Sequence, residues 1–186
     1  MNWRRFSYLQ DGTPRQRTAH DVLVKLAVFD HLRRFDPALV STVCIGLDVS
    51  GSDLDIICDV SGSGGPAGFQ STVERLYGHQ PQFQMWTRAG GAVVARFDTA
   101  SFPVELFGKQ QPVERQAAWR HLNVMKRLVE AAPQLREEVR HLKREGFGTE
   151  PAFAHLLGLD GDPYEAILSL ETATEKEISD LCARAA

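Results

Sequence analysis

Gly51-Ser52-Asp53-Leu54-Asp55-Ile56-Ile57 sets two carboxylates two residues apart inside an aliphatic run, and the reading of this stretch decides the fold. Strands disfavour aspartate, so an apolar strand that keeps two of them needs a reason. Side chains alternate along a strand, which turns Asp53 and Asp55 to one face and Leu54 and Ile56 to the other. Two steps of strand rise separate the pair by roughly 6.5 Å at their α-carbons. Carboxylates that close repel one another unless a cation or a proton intervenes, so the pair points to a bound cation.

Working outward, the pattern alternates between strand and helix signals. Two β-type runs, Leu39 to Leu47 and Leu54 to Val60, flank Asp48-Val49-Ser50-Gly51-Ser52. Upstream, Val22, Leu26, Phe29 and Leu32 recur at helical spacing, with Thr18 as a cap and Asp36-Pro37 as the stop, predicting one helix from Thr18 to Phe35. The first 17 residues carry Arg4, Arg5, Arg15 and Arg17 around a turn at Asp11-Gly12-Thr13-Pro14, and read as a solvated basic arm. Downstream, Ser61 to Pro66 reads as a loop and Phe69 to Tyr77 as a short helix closed by Gly78. Three strands follow, Gln82 to Thr87, Ala92 to Phe97 and Phe102 to Phe107, joined by turns at Gly90-Gly91 and Asp98-Thr99-Ala100-Ser101 as an antiparallel meander.

From Pro112 the pattern turns helical. Val113, Ala117, Met125, Leu128 and Val129 share one helical face, and Leu135, Val139 and Leu142 mark another helix ending at Gly146. Thr149-Glu150-Pro151 opens a third, Asp162-Pro163-Tyr164-Glu165 has the cap, proline and acid of a helix start, and Thr174 with Glu177 repeats the capping-box spacing. The expected fold class is α+β: a mixed or antiparallel sheet of about five strands flanked by helices, then a helical C-terminal part. The boundary falls near Gln110, giving a core at 1–110 and a helical region at 111–186 packed on it.

Bulk properties exclude several classes. A hydrophobic content of 43% in 186 residues is ample for a core. A net charge of -3 gives no overall drive toward a long polyanion or an anionic membrane, so a nucleic-acid polymer is not the expected partner. Cys44, Cys58 and Cys182 lack C-x-x-C spacing and suggest neither a disulfide framework nor a zinc knuckle, and the two in strand-like apolar runs read as buried thiols in a reducing compartment. With no signal-peptide core after Met1 and no membrane-length apolar run, the expected location is the cytoplasm.

A third acid completes the pattern. In Phe102-Pro103-Val104-Glu105-Leu106-Phe107 a glutamate sits mid-strand among apolar residues. If its strand lies beside that of Asp53 and Asp55 with the same face forward, three carboxylates converge on a site suited to divalent ions and a triphosphate. Magnesium, or manganese in its place, is the expected cofactor of such an all-oxygen site.

The glycine- and serine-containing turn, the acid-apolar-acid strand and the later acid resemble the nucleotidyltransferase superfamily of DNA polymerase beta, aminoglycoside nucleotidyltransferases and small nucleotidyltransferase antitoxins. That likeness covers residues 39–107. More narrowly, Gly46 to Cys58, Val104 to Lys109 and Thr149 to Ala154 resemble an uncharacterised bacterial family of nucleotidyltransferase-like domains, over most of residues 20–170. The resemblance implies that Asp53, Asp55 and Glu105 bind the metals, with Glu105 also a base for the incoming hydroxyl. It implies a phosphate-holding element about ten residues before the first aspartate. The match by spacing is Val40-Ser41-Thr42, with Ser41 where glycine is usual, and Gly46 or Gly51-Ser52, at shorter spacing, is the alternative holder.

The activity implied is transfer of a nucleoside monophosphate from a nucleoside triphosphate to a hydroxyl of a small molecule or protein. The alternative is a catalytically degenerate nucleotide- or protein-binding module of the same fold, which the serine at position 41 favours. Of the remaining candidates, His121 reads as structural, Trp86 and Trp119 as core, Asp98 as a turn residue, and Lys126, Arg127, Arg136, Arg140, Lys143 and Arg144 as an exposed helix face.

Overall fold

A computed structural model describes residues 2–62 and 64–185; Met1 of the lead-in, Ser63 of the expected loop, and Ala186 lie outside the described residues. In chain order the elements are α1 (Pro14–Leu26), α2 (Val28–His31), β1 (Ala38–Leu39), β2 (Leu54–Asp59), α3 (Gly65–Tyr77), β3 (Gln84–Thr87), β4 (Val93–Asp98) and β5 (Pro103–Lys109). Then come α4 (Ala117–Ala131), α5 (Leu135–Arg144), α6 (Thr149–Leu157), α7 (Pro163–Ser169) and α8 (Glu175–Ala185). Two compact units result, one of Met1–Cys44 with Gly51–Gln116 and one of Ile45–Ser50 with Ala117–Ala186.

In the first unit the five strands order as β1-β2-β5-β4-β3, so the meander β3-β4-β5 is antiparallel and β2 joins it parallel to β5. Strand alternation divides this sheet sharply. Leu54, Ile56 and Cys58 of β2, Val104, Leu106 and Gly108 of β5, and Val93, Ala95 and Phe97 of β4 are buried on one face. Helix α3 covers that face with Phe69, Val73 and Tyr77, the Tyr77 ring stacking on Phe97 at 5.4 Å. At Gly108 any β-carbon would stand 2.7 Å from the Phe69 ring, so only glycine lets the helix lie this close.

Three expectations are corrected here. The predicted helix from Thr18 to Phe35 starts earlier, at Pro14, because Thr13 and Gln16 form a reciprocal capping box. It also breaks at Ala27, which takes the left-handed conformation at φ 50° with no glycine or proline to announce it. The predicted strand from Leu39 to Leu47 is strand only at Ala38–Leu39; Thr42–Ile45 is a 3-10 turn, and Ser41 leaves the ladder by donating its hydroxyl to the Asp53 carbonyl at 2.5 Å. The basic lead-in is no solvated arm. Trp3 is fully buried, Arg4 bridges Asp36 and Glu114, and the Arg15 guanidinium lies 4.1 Å from the centre of the Phe102 ring.

The second unit is helical. Its starts follow the sequence signals: Asp162 caps α7 by accepting from the Tyr164 and Glu165 amides, and Thr174 with Glu177 forms the reciprocal box before α8. Part of the expected exposed basic face is structural instead. Arg127 donates to the carbonyls of Leu170, Glu171 and Ala173 and pairs with Glu175, while Arg136 and Lys143 hold the carbonyls of Ile45 and Leu47. Among the described residues no helix is long and apolar enough to cross a membrane.

Candidate active site

The second face of the sheet carries the charge. Asp55 and Glu105 are register partners on the parallel strands β2 and β5, so their side chains leave the same face with the strands about 4.8 Å apart. Arg96 of β4 is the next partner of Glu105, and Gln84 of β3 the next partner of Arg96. A row of Asp55, Glu105, Arg96 and Gln84 thus crosses four strands. Asp53, two residues before Asp55, lies at the mouth of β2 with its Oδ2 3.8 Å from Arg96 Nη2. Arg88, just past β3, places Nη2 3.8 Å from Glu105 Oε1 and its guanidinium over the Phe107 ring.

These pairs are long. At 3.8 Å an arginine and a carboxylate attract without a formed hydrogen bond, and the side chains of Arg88 and Arg96 are about half exposed at 52% and 48%. Glu105 is the more enclosed acid, with 21% of its side chain exposed. Burial pushes its carboxyl above the ordinary range, and the Asp53 charge adds to that, while Arg88 and Arg96 pull the other way.

The residues expected to hold phosphate are distributed differently. Ser41 is fully buried, and its hydroxyl is committed to the Asp53 carbonyl, so it fixes the entry to β2. Thr42 opens the 3-10 turn that follows. Gly51, at φ 86°, has open space where a β-carbon would sit, and the Ser52 carbonyl lies 3.5 Å from Arg15 Nη2. Of the expected holders, therefore, Gly51 and Ser52 directly precede Asp53, with open space at Gly51, and Ser41 is inside the wall.

The donor chemistry of Asp53, Asp55 and Glu105 fits a hard divalent ion, since all three supply carboxylate oxygen. Among the described residues, no three aspartate, glutamate, histidine or cysteine side chains are gathered closely enough to hold an ion as they stand. Arg88 and Arg96 stand 3.8 Å from Glu105 and Asp53 respectively.

Arg88 and Arg96 were missed by the sequence reading, although one signal was present. Val93-Val94-Ala95-Arg96-Phe97 puts a lone charge inside an apolar strand, the same anomaly that singles out Glu105. Trp86 is also corrected: it stands 38% exposed on β3, because β3 is the edge of the sheet, whereas Trp119 is buried as expected. His121 is structural, as read. It is 7% exposed, with Nδ1 3.3 Å from Glu150 Oε1 and Nε2 3.1 Å from the Tyr164 carbonyl. Asp59 accepts from the Ser61 amide and hydroxyl and so serves a turn.

Two solved structures share this architecture. The Cid1 poly(U) polymerase, in a crystal structure with MgGTP bound, matches at a TM-score of 0.50 and 20% identity over 78% of this chain and 48% of that one. The polymerase core of TRAMP, an RNA surveillance complex, matches at 0.50 and 12% identity over 91% of this chain and 56% of that one. The chain spans about half the length of these two structures, and the likeness is one of fold: α+β and nucleotidyltransferase-like. No curated protein sequence matches it. A family model described as a domain of unknown function, DUF4269, matches residues 21–170, and the chain belongs to that family.

Proposed function

We propose that this chain is a metal-dependent nucleotidyltransferase that moves a nucleoside monophosphate from a nucleoside triphosphate to a hydroxyl of a small molecule or protein. The observation that carries the reading is the pairing of Asp55 with Glu105 in register across β2 and β5, with Asp53 at the mouth of the same face. Asp53, Asp55 and Glu105 would hold magnesium or manganese. When bound, the metal supplies positive charge that neutralises the triphosphate and activates the attacking oxygen. Glu105, whose carboxyl burial holds above its ordinary range, would take the proton of the acceptor hydroxyl. The hydroxyl oxygen then bonds to the α-phosphorus, the bond to the bridging oxygen breaks, and pyrophosphate leaves. Gly51, with open space where a side chain would begin, and the neighbouring Ser52 would offer backbone to the phosphates.

A second reading has one observation in its favour. Ser41 occupies the place where relatives in the superfamily usually carry a phosphate-approaching glycine, and it is buried with its hydroxyl committed. That favours a nucleotide- or protein-binding module without turnover.

The deciding experiment follows melting temperature with magnesium and each of the four ribonucleoside triphosphates, in the native chain and in Asp53→Asn with Asp55→Asn. A metal-dependent shift lost in the double variant supports the triphosphate site, and pyrophosphate release with a hydroxyl acceptor supports transfer. Absence of any shift in the native chain overturns the enzymatic reading.

A further inference from the structure

Two arginines stand against two of the acids on the strands that border them. Arg96 is the register partner of Glu105, yet its guanidinium reaches past it to Asp53, and Arg88 covers Glu105 from beyond β3. Their geometry is not that of permanent structural pairs. Contrast Arg4, which grips Asp36 through both Nε and Nη2 at 2.6 Å. Arg88 and Arg96 sit at 3.8 Å, half exposed, on carboxylates they attract without hydrogen-bonding. Pairs this loose contribute little to stability and exchange partners readily.

Resting on the nucleotidyltransferase reading, we infer that Arg88 and Arg96 are polyphosphate-binding residues parked on Glu105 and Asp53 until a divalent ion and a nucleoside triphosphate arrive together. Charge explains the exchange. Metal ions and guanidinium groups compete for the same carboxylates, so an ion entering beside Asp53 and Glu105 displaces both arginines. A triphosphate accompanying that ion gives them a new anionic partner, and guanidinium is well matched to phosphate oxygens. The side chains leave from the same face as Asp55 and Glu105, so the move is a rotamer change and not a rearrangement of the sheet. The device makes metal and nucleotide binding cooperative: metal alone must evict two cations, whereas metal with triphosphate rehouses them.

The test uses the full chain and reads binding, not turnover. Mn2+ alone, and each of the four ribonucleoside triphosphates with Ca2+ to prevent transfer, are titrated by calorimetry into native protein, Arg88→Gln, Arg96→Gln and Arg33→Gln. Arg33 is an exposed residue of the 3-10 turn at Arg33–Phe35 and controls for net charge. Expected are opposite movements: Mn2+ alone binds about two- to fivefold tighter in Arg88→Gln and Arg96→Gln, as a weak competing ion pair is removed. The triphosphate binds about tenfold or more weaker, as a charged hydrogen bond is lost. Arg96→Lys, which keeps the charge and loses the fork, recovers part of the triphosphate affinity and restores the native Mn2+ affinity. Affinities that fall together, or a triphosphate affinity that does not change, overturn this role while the native chain still binds nucleotide. If the native chain binds neither metal nor triphosphate, the parent reading falls as well, so the two failures are distinguishable.

Discussion

The two faces of the one sheet follow opposite rules. Toward α3, every position is apolar and filled, to the point that Gly108 is held to glycine by the Phe69 ring and the Val60 side chain. On the other face, Asp55, Glu105 and Arg96 stand in a row with partial exposure, Glu105 and Arg96 each in an ion pair of 3.8 Å and the Glu105 carboxyl raised above its ordinary range. The first arrangement is what stability asks of a strand pair; the second is unfavourable for stability and needs another explanation. The difference teaches where to look for chemistry: in the residues that the packing on the far side holds in an awkward position.

Four variants test that contrast, beginning with the largest effect. Asp53→Asn with Asp55→Asn is expected to lower transfer by about a thousandfold or more, the scale of losing principal charge stabilisation in a transition state. Circular dichroism and urea unfolding should show the fold intact, since neither carboxylate is enclosed in the packed face. If the double variant unfolds, the two faces are not separable and the comparison fails.

Gly108→Ala is the mirror experiment. Overpacking against Phe69 and Val60 is expected to lower unfolding free energy by about 1–3 kcal/mol in urea titration, with the triphosphate-induced shift retained in the folded fraction. Ser41→Ala removes a buried hydroxyl that holds the Asp53 carbonyl, and a loss of about 1 kcal/mol is expected. Because that hydrogen bond sets the entry to β2, metal affinity should fall with it. An unchanged metal affinity would assign Ser41 to the packed side alone.

Glu105→Gln gives the smallest effect on stability and the one with a diagnostic sign. Burial raises the Glu105 carboxyl in the folded state, so its contribution is fully present below the unfolded value of about 4.3 and is lost as pH rises through the folded value. The glutamine variant should therefore melt higher than native at pH 7 and alike at pH 4, while losing transfer. A variant that melts lower at pH 7 would show Glu105 to be a stabilising residue and remove it from the functional face.

Much of this was legible in the sequence because it depends on alternation and on turn chemistry. The acids at 53, 55 and 105 stand out as charges in apolar strands, the meander is marked by Gly90-Gly91, and the caps at Asp162 and Thr174 are local hydrogen-bond signals. What escaped depends on partners distant in the chain. The apolar run from Leu39 to Leu47 has no periodicity to separate strand from 3-10 turn, and Ser41 settles it by reaching for Asp53. Ala27 bends the first helix with an ordinary residue in a left-handed conformation. Arg88 lies beyond a two-glycine turn, so its approach to Glu105 exists only in three dimensions. Arg15 looked solvated because no spacing rule foretells a guanidinium lying over Phe102.

The parallel pairing of β2 with β5 also has a bearing on how the molecule comes into being. Asp53 and Asp55 emerge during synthesis well before Glu105, and α3, β3 and β4 must all be threaded between them before the two strands can meet. Contacts so distant along the chain close late in folding. A nascent polypeptide that ends at Asp98 owns both aspartates and the β1 strand that pairs with β2, yet lacks the β5 strand that carries Glu105. The row of acids is thus complete only once β5 has been made and has paired with β2.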